Sequence, residues 1–345
     1  MKYIKEYNEY IDPFNEEDWD EVEPDSTFLT WLKINYPDEG IWKDIKTINC
    51  HNRKLTDLIG VDKLINLEKL FCYGNQLREL DITKNPNLIY LSCHSNQLTE
   101  LDVNNNIQLT HLYCSTNQIT ELDISNNIKL KFLYCHNNQL RELDVSNDIN
   151  LLNLYCQNNQ LIELDVTNNI KLKELRCYNN QLIELDVTKN IKLEYLLYYN
   201  NQLTNLDISK NIKLRDLYCD HNQLRKLNLT KNVNLEYLYC VRNQLIEKLN
   251  LSRNIDLRDL HCHNNQLTEL DVSKNINLRG LYCENNHLRK LLTKNINLIS
   301  LSCNNNQLTK IDVTKNINLE YLYCFNNQLT ELDLSNNIKL KYKII

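Results

Sequence analysis

The chain has 345 residues and a net charge of −6, with 45 Asp/Glu against 39 Lys/Arg and only four Gly and four Pro. That scarcity of glycine and proline excludes a linker or low-complexity chain, and no run approaches the roughly 18 apolar residues of a membrane span. Charge is concentrated in residues 1–44, net −9, which leaves about +3 for the other 301 and no clustered basic stripe of the kind nucleic-acid modules carry.

The opening MKYIKEYNEYIDPF lacks the short apolar stretch and small-residue cleavage site of a secretory signal. Residues 1–44 hold all three tryptophans, Trp19, Trp31 and Trp42. Within them Ser26–Ile34 predicts a short helix, with Ser26 as N-cap and apolar Phe28, Leu29, Leu32 and Ile34 behind it. Tyr36-Pro37-Asp38-Glu39-Gly40 then turns the chain. The segment is expected to cap the residues after it, because a repeat array otherwise exposes its core. Its acidic start, Glu6–Asp25, reads as a solvated tail, with Phe14 and Trp19 the argument for a docking segment instead.

From Ile45 onward one 21-residue phrase, L-x-x-L-x-C-x-x-N-Q-L-x-E-L-D-V-x-x-N-x-x, is written about fourteen times up to residue 340. A fixed period of this length means stacked supersecondary units. In L-x-x-L-x-C-x the apolar residues alternate with variable ones, which predicts a strand with Leu and Cys pointing inward. The Asn column, Asn75 through Asn327, is expected to end each strand by tolerating a left-handed turn and bonding backbone groups at the bend. Thirteen cysteines fill one column, interrupted only by Tyr198. Parallel rungs about 4.8 Å apart give Cβ vectors unsuited to disulfides. The column therefore reads as a ladder of buried thiols, and the location as intracellular, in a reducing cytoplasm.

The phrase resembles the leucine-rich repeat signature L-x-x-L-x-L-x-x-N-x-L, with Cys in the third Leu place, as in Leu67, Leu70, Cys72, Asn75 and Leu77. Its second half, L-D-V-x-x-N, is similar to the nested short class sometimes called IRREKO. The acidic, Trp-bearing head before Asn-, Ile-, Tyr- and Lys-rich repeats also resembles repeat proteins encoded by giant amoeba-infecting viruses, which implies action in host cytoplasm or packaging in a virion. The family implies a solenoid with a parallel β-sheet on its concave face. The convex half is too short for a helix, so short extended or turn segments and a gently curved right-handed superhelix are expected.

Along the convex half an Asp column, including Asp81, Asp186 and Asp333, points outward. It reads as a solvated stripe neutralised by neighbours such as Lys189, since calcium-binding rolls place glycines beside their Asp. One residue is inserted near Lys248 and one is lost between Leu291 and Leu292, both on the convex half. Residues 341–345 form a tail, out of phase with the repeat and without an evident cap, whose open edge offers a route to self-association.

The outward strand positions supply the functional evidence. They concentrate aromatic residues, and the partner-binding candidates are Tyr113, Tyr134, Tyr155, Arg176, Tyr178, Tyr199, Tyr218, Tyr239, His261, His263, Tyr282 and Tyr323. Tyr and Arg are preferred interface anchors. Cross-strand aromatic ladders also stabilise sheets, which is the structural reading of the same column. In His261-Cys262-His263 alternation sends the Cys inward, so the three cannot close on one metal. No nucleophile–base motif and no phosphate loop occur, so neither an enzyme nor a cofactor is expected. The sequence thus indicates a scaffold for a protein partner, with a single-stranded nucleic-acid or glycan binder, or a self-associating structural array, as the alternatives.

Overall fold

A computed structural model describes residues 27–345. Ser26, the acidic stretch Glu6–Asp25, Phe14 and Trp19 lie outside the described residues. The helix α1 (Phe28–Asn35) starts one residue later than expected: Thr27 is its N-cap, its hydroxyl accepting the Thr30 N–H at 3.3 Å. Phe28 and Leu32 are buried, Leu29 is half-buried, and Ile34 faces solvent instead of the core. Trp31 stacks on Phe28 with ring centroids 5.7 Å apart, and Trp42 is buried while donating its indole N–H to the Tyr36 carbonyl at 2.7 Å. These rings join the same core as the first Leu and Cys rungs.

Fifteen three-residue strands, from Thr47–Asn49 to Tyr342–Ile344, form one parallel sheet in sequence order. Register is uniform, with Leu112 opposite Leu133 and Tyr113 opposite Tyr134. A slip of one residue would turn every Leu outward, so the pattern locks itself. The tail is not out of phase, contrary to the sequence reading. Tyr342, Lys343 and Ile344 pair with Tyr321, Leu322 and Tyr323, which puts Lys343 in the inward Leu place.

Leu and Cys of the rungs are buried along the stack, and all thirteen thiols are free. Burial pushes the Cys50, Cys114 and Cys177 thiols up to about 12, so they are inert at neutral pH. Such thiols behave as small apolar groups in either redox compartment.

The strand-ending Asn works through its amide, but not through its own backbone. Positive φ falls one residue earlier, as at Thr116 (54°), Asn137 (54°) and Asn158 (55°). Asn117 itself donates to the Cys93 and Cys114 carbonyls, each at 3.1 Å, and accepts the Leu98 N–H at 3.0 Å. One amide thus ties two successive rungs through the Cys93 and Cys114 carbonyls and the Leu98 N–H, groups that no backbone bond among the described residues satisfies. A second Asn column, unassigned from sequence, does the same across the chain reversal before each strand. There Asn127 donates to the Val103 and Asn106 carbonyls at 3.0 Å each. Asp148 stands in that column, fully buried, with no partner for either carboxyl oxygen.

The convex half is extended chain without helix except for the short 3-10 turn Val61–Lys63. Each Asp is spent on its own turn: Asp186 accepts the backbone N–H and the hydroxyl of Thr188 at 2.8 and 2.7 Å. Among the described residues, strand pairing appears on this side only between Glu269–Asp271 and Lys290–Leu292. That pairing relocates the deletion. Leu292 stands opposite Asp271, and Thr293 is buried in the next inward place, so the missing residue falls in the turn before Asn295.

Candidate partner-binding face

Strand alternation projects three side-chain columns from the sheet, one on each side of Leu and one after Cys. Parallel register stacks each column rung on rung. In the middle column Tyr113, Tyr134 and Tyr155 stack with centroids 4.5 and 4.1 Å apart and planes within 15°. The Arg176 guanidinium continues the stack 4.3 Å above the Tyr155 ring, held there by Glu174 at 2.6 Å. Leu197 then interrupts the column. A second stack follows, of Tyr218, Tyr239, His261 and Tyr282, with centroids 4.4, 4.1 and 4.2 Å apart. Ser302 ends it, and Tyr323 tilts against Tyr342 at 5.7 Å.

The remaining candidates lie in the column after Cys. Tyr178 and Tyr199 stack at 4.2 Å, while His263 Nδ1 stands 3.8 Å from Glu284 Oε1. The structure therefore divides the twelve candidates into separate clusters on one face. His261 and His263 both leave that face, with ring centroids 6.1 Å apart, while Cys262 is buried beneath. Among the described residues no group of three or more His, Cys, Asp or Glu is arranged to hold a metal ion.

Exposure separates the stacks. Tyr113, Tyr134 and Tyr155 are each only 8% exposed and Tyr178 is 6% exposed, with Tyr90 and Phe132 packed against the first three. Tyr199, Tyr218, Tyr239, His261, His263, Tyr282 and Tyr323 are half-buried. Column membership made these residues look equivalent. Mutual cover between rungs, which a single rung does not display, makes them different.

Carboxyls beside the second stack escaped the sequence reading. Burial holds Asp216 and Asp259 at about 6, with Glu236 adding its repulsion at the first, and holds Asp220 at about 7. Asp220 accepts the Val241 N–H at 2.6 Å. The signal was present in the outward positions of neighbouring rungs, where Asp216, Asp220, Asp259 and Glu284 stand within a few rungs. Burial lowers His261 to about 3 and His136 to about 4, so both rings are neutral at pH 7. The face accordingly combines neutral aromatic edges with a carboxyl border. No helix of the described residues is long and apolar enough to cross a membrane.

No family model and no curated protein matches the chain. Solved structures do. The functional domain of InlJ from Listeria monocytogenes, which includes a cysteine ladder, is 39% identical, with a TM-score of 0.83 over 88% of this chain and 68% of that one. A leucine-rich repeat protein of Leptospira interrogans, LIC12759, is 28% identical, with a TM-score of 0.75 over 84% and 81%. YopM, a leucine-rich effector protein from Yersinia pestis, shares the fold at 23% identity, with a TM-score of 0.70 over 91% and 92%.

Proposed function

The chain belongs to the leucine-rich repeat family, and we propose that it is a non-enzymatic scaffold whose sheet face holds a protein partner. The observation that carries this reading is the second stack, where half-buried Tyr218, Tyr239, His261 and Tyr282 run beside Asp216, Asp259 and Glu284. Aromatic edges give area at low rotamer cost, and the carboxyls favour a partner that brings cationic side chains. Tyr113, Tyr134, Tyr155 and Tyr178 contribute little contact area and act as the floor that keeps the face rigid, with half-buried Arg176 at its edge.

A nucleic-acid or glycan reading is weaker on the same geometry. Rings 4.1 to 4.5 Å apart already cover each other, which leaves no gap for a base or sugar to stack into. The carboxyl border would repel phosphates. The likeness in style to giant-virus repeat proteins fits action in host cytoplasm or a virion, which fractionation of the native cell tests.

The decisive experiment is affinity capture from the native cell with the parent chain and with Tyr239→Ala/Tyr282→Ala. Loss of one specific protein from the variant, with an unchanged circular dichroism spectrum, is the expected result. Equal recovery by both chains would sink the reading.

A further inference from the structure

The turn before each strand carries a further column. The residue between the buried turn Asn and the first Leu of each rung is Ile in almost every repeat, with Pro86 and Val233 as variants. From Ile65 to Ile317 its apolar members are between 40% and 58% exposed, and Ile338 is 88% exposed. One such side chain per rung, at about 4.8 Å spacing, makes a continuous apolar ridge. Singly exposed apolar residues need no explanation, whereas a contiguous row of this length does.

The ridge is flanked by cations, so the stacked rungs line lysines into rows that the sequence reading of a nearly neutral array without a basic stripe missed. The positions two residues before and one after each Ile supply Lys171, Lys189, Lys192, Lys210, Lys213 and Lys231 over the central rungs. Asp256 is the only carboxylate in either flanking column. Lys189 also faces Asp186, but Lys192 and Lys213 form no ion pair within the described residues. Two copies meeting ridge to ridge would set these lysine rows against each other, so the chemistry calls for an acidic, apolar occupant.

The chain carries one. Residues 1–26, outside the described residues, hold ten Asp/Glu against Lys2 and Lys5, together with Tyr7, Ile11, Phe14 and Trp19. We propose that this acidic, aromatic-bearing segment docks in cis along the Ile ridge, its carboxylates between the flanking lysines. Length permits it. Twenty-six residues reach up to roughly 85 Å when extended, whereas the ridge from Ile65 to Ile338 spans about 62 Å. The segment joins the array at Thr27, beside the first rungs, so it starts at one end of the ridge.

Zero-length carbodiimide coupling on the full chain, mixed with isotopically heavy full chain and read by mass spectrometry, tests the proposal. The expected result is intrachain amide links from carboxylates among Glu6–Glu17 to ridge lysines such as Lys171, Lys192 and Lys213. Ile191→Ser/Ile212→Ser should cut their yield at least threefold with an unchanged melting temperature, since both side chains are half exposed. Phe14→Ala/Trp19→Ala should do the same from the other partner, without touching the array. Links only to lysines elsewhere, links only between heavy and light chains, or yields untouched by both variants would overturn it. So would ridge-dependent binding to phosphatidylserine vesicles by the parent chain, because an occupied ridge is not free for lipid.

Discussion

Tyr134 and Tyr239 hold the same place in the repeat, and each is stacked on both sides, yet they are different residues in effect. Tyr134 lies between two tyrosines, with Phe132 and Tyr90 against its cluster and Arg176 closing the stack, and it is 8% exposed. Tyr239 lies between Tyr218 and the smaller ring of His261, in a stretch bordered by carboxyls, and remains half-buried. One letter in one column is thus buried at one end of the face and partly exposed at the other. Neighbouring rungs decide which.

That contrast can be broken by substitution. Tyr134→Ala should cost about 3 kcal/mol, because a sandwiched ring leaves a cavity that the rigid stack cannot close. Tyr239→Ala should cost about 1 kcal/mol, its effect falling mainly on binding. Chemical denaturation midpoints of the two variants check this, and equal losses would erase the distinction between the stacks.

Acidity should separate the regions next. Asp216, Asp220 and Asp259 have folded values raised to about 6 or 7 by burial. Their full contribution is present below the unfolded value near 4, and stability is lost as pH rises from about 4 through about 7. His136 and His261, lowered by burial to about 4 and about 3, push the other way over the same range. The comparison is therefore with the Asn triple variant: the stability advantage of the parent over that variant should fall between pH 4.5 and 7.5. Asp148 offers a control away from the face. Burial raises it to about 7, and in its column Asn donates two bonds that a carboxylate cannot. Asp148→Asn should stabilise by about 2 kcal/mol at pH 7.5 and by about half of that at pH 4, where the protonated carboxyl can donate one of the two bonds.

Arg176→Ala should cost about 1 kcal/mol through loss of the cation–π contact and the Glu174 pair, and should raise the accessibility of Tyr155. Iodination of Tyr155, mapped by mass spectrometry, would register the second effect. The smallest change concerns the boundary. Tyr198 stands in the Cys column on the rung between the two stacks, fully buried, with its hydroxyl facing the Cys219 thiol, a weak hydrogen-bond partner. Tyr198→Phe should be neutral or stabilising by less than about 1 kcal/mol. A clear loss would mean that this hydroxyl is satisfied in solution.

Much of the fold was legible because the period states it. Leu70, Leu91 and Leu112 recur in one frame, and a parallel stack is the arrangement that buries all of them at once. Where local signals competed, the reading slipped. Ser26 and Thr27 are both good N-caps by residue type, and the helix is capped by Thr27. Lys343 hid the final rung because a lysine in a leucine place breaks the pattern while leaving the backbone register intact. The site was legible as a face and not as a patch, since exposure depends on what the rung above and the rung below carry.

Sequence alone determined the inward letters, the columns and the parallel stack, because side-chain alternation and a fixed period are local properties repeated along the chain. Tertiary structure decided which tyrosines are floor and which are surface, raised Asp216 and Asp148, and lined the isoleucines into a ridge. Burial and stacking are set by residues 21 positions away, and those neighbours meet only once the solenoid has closed its turns.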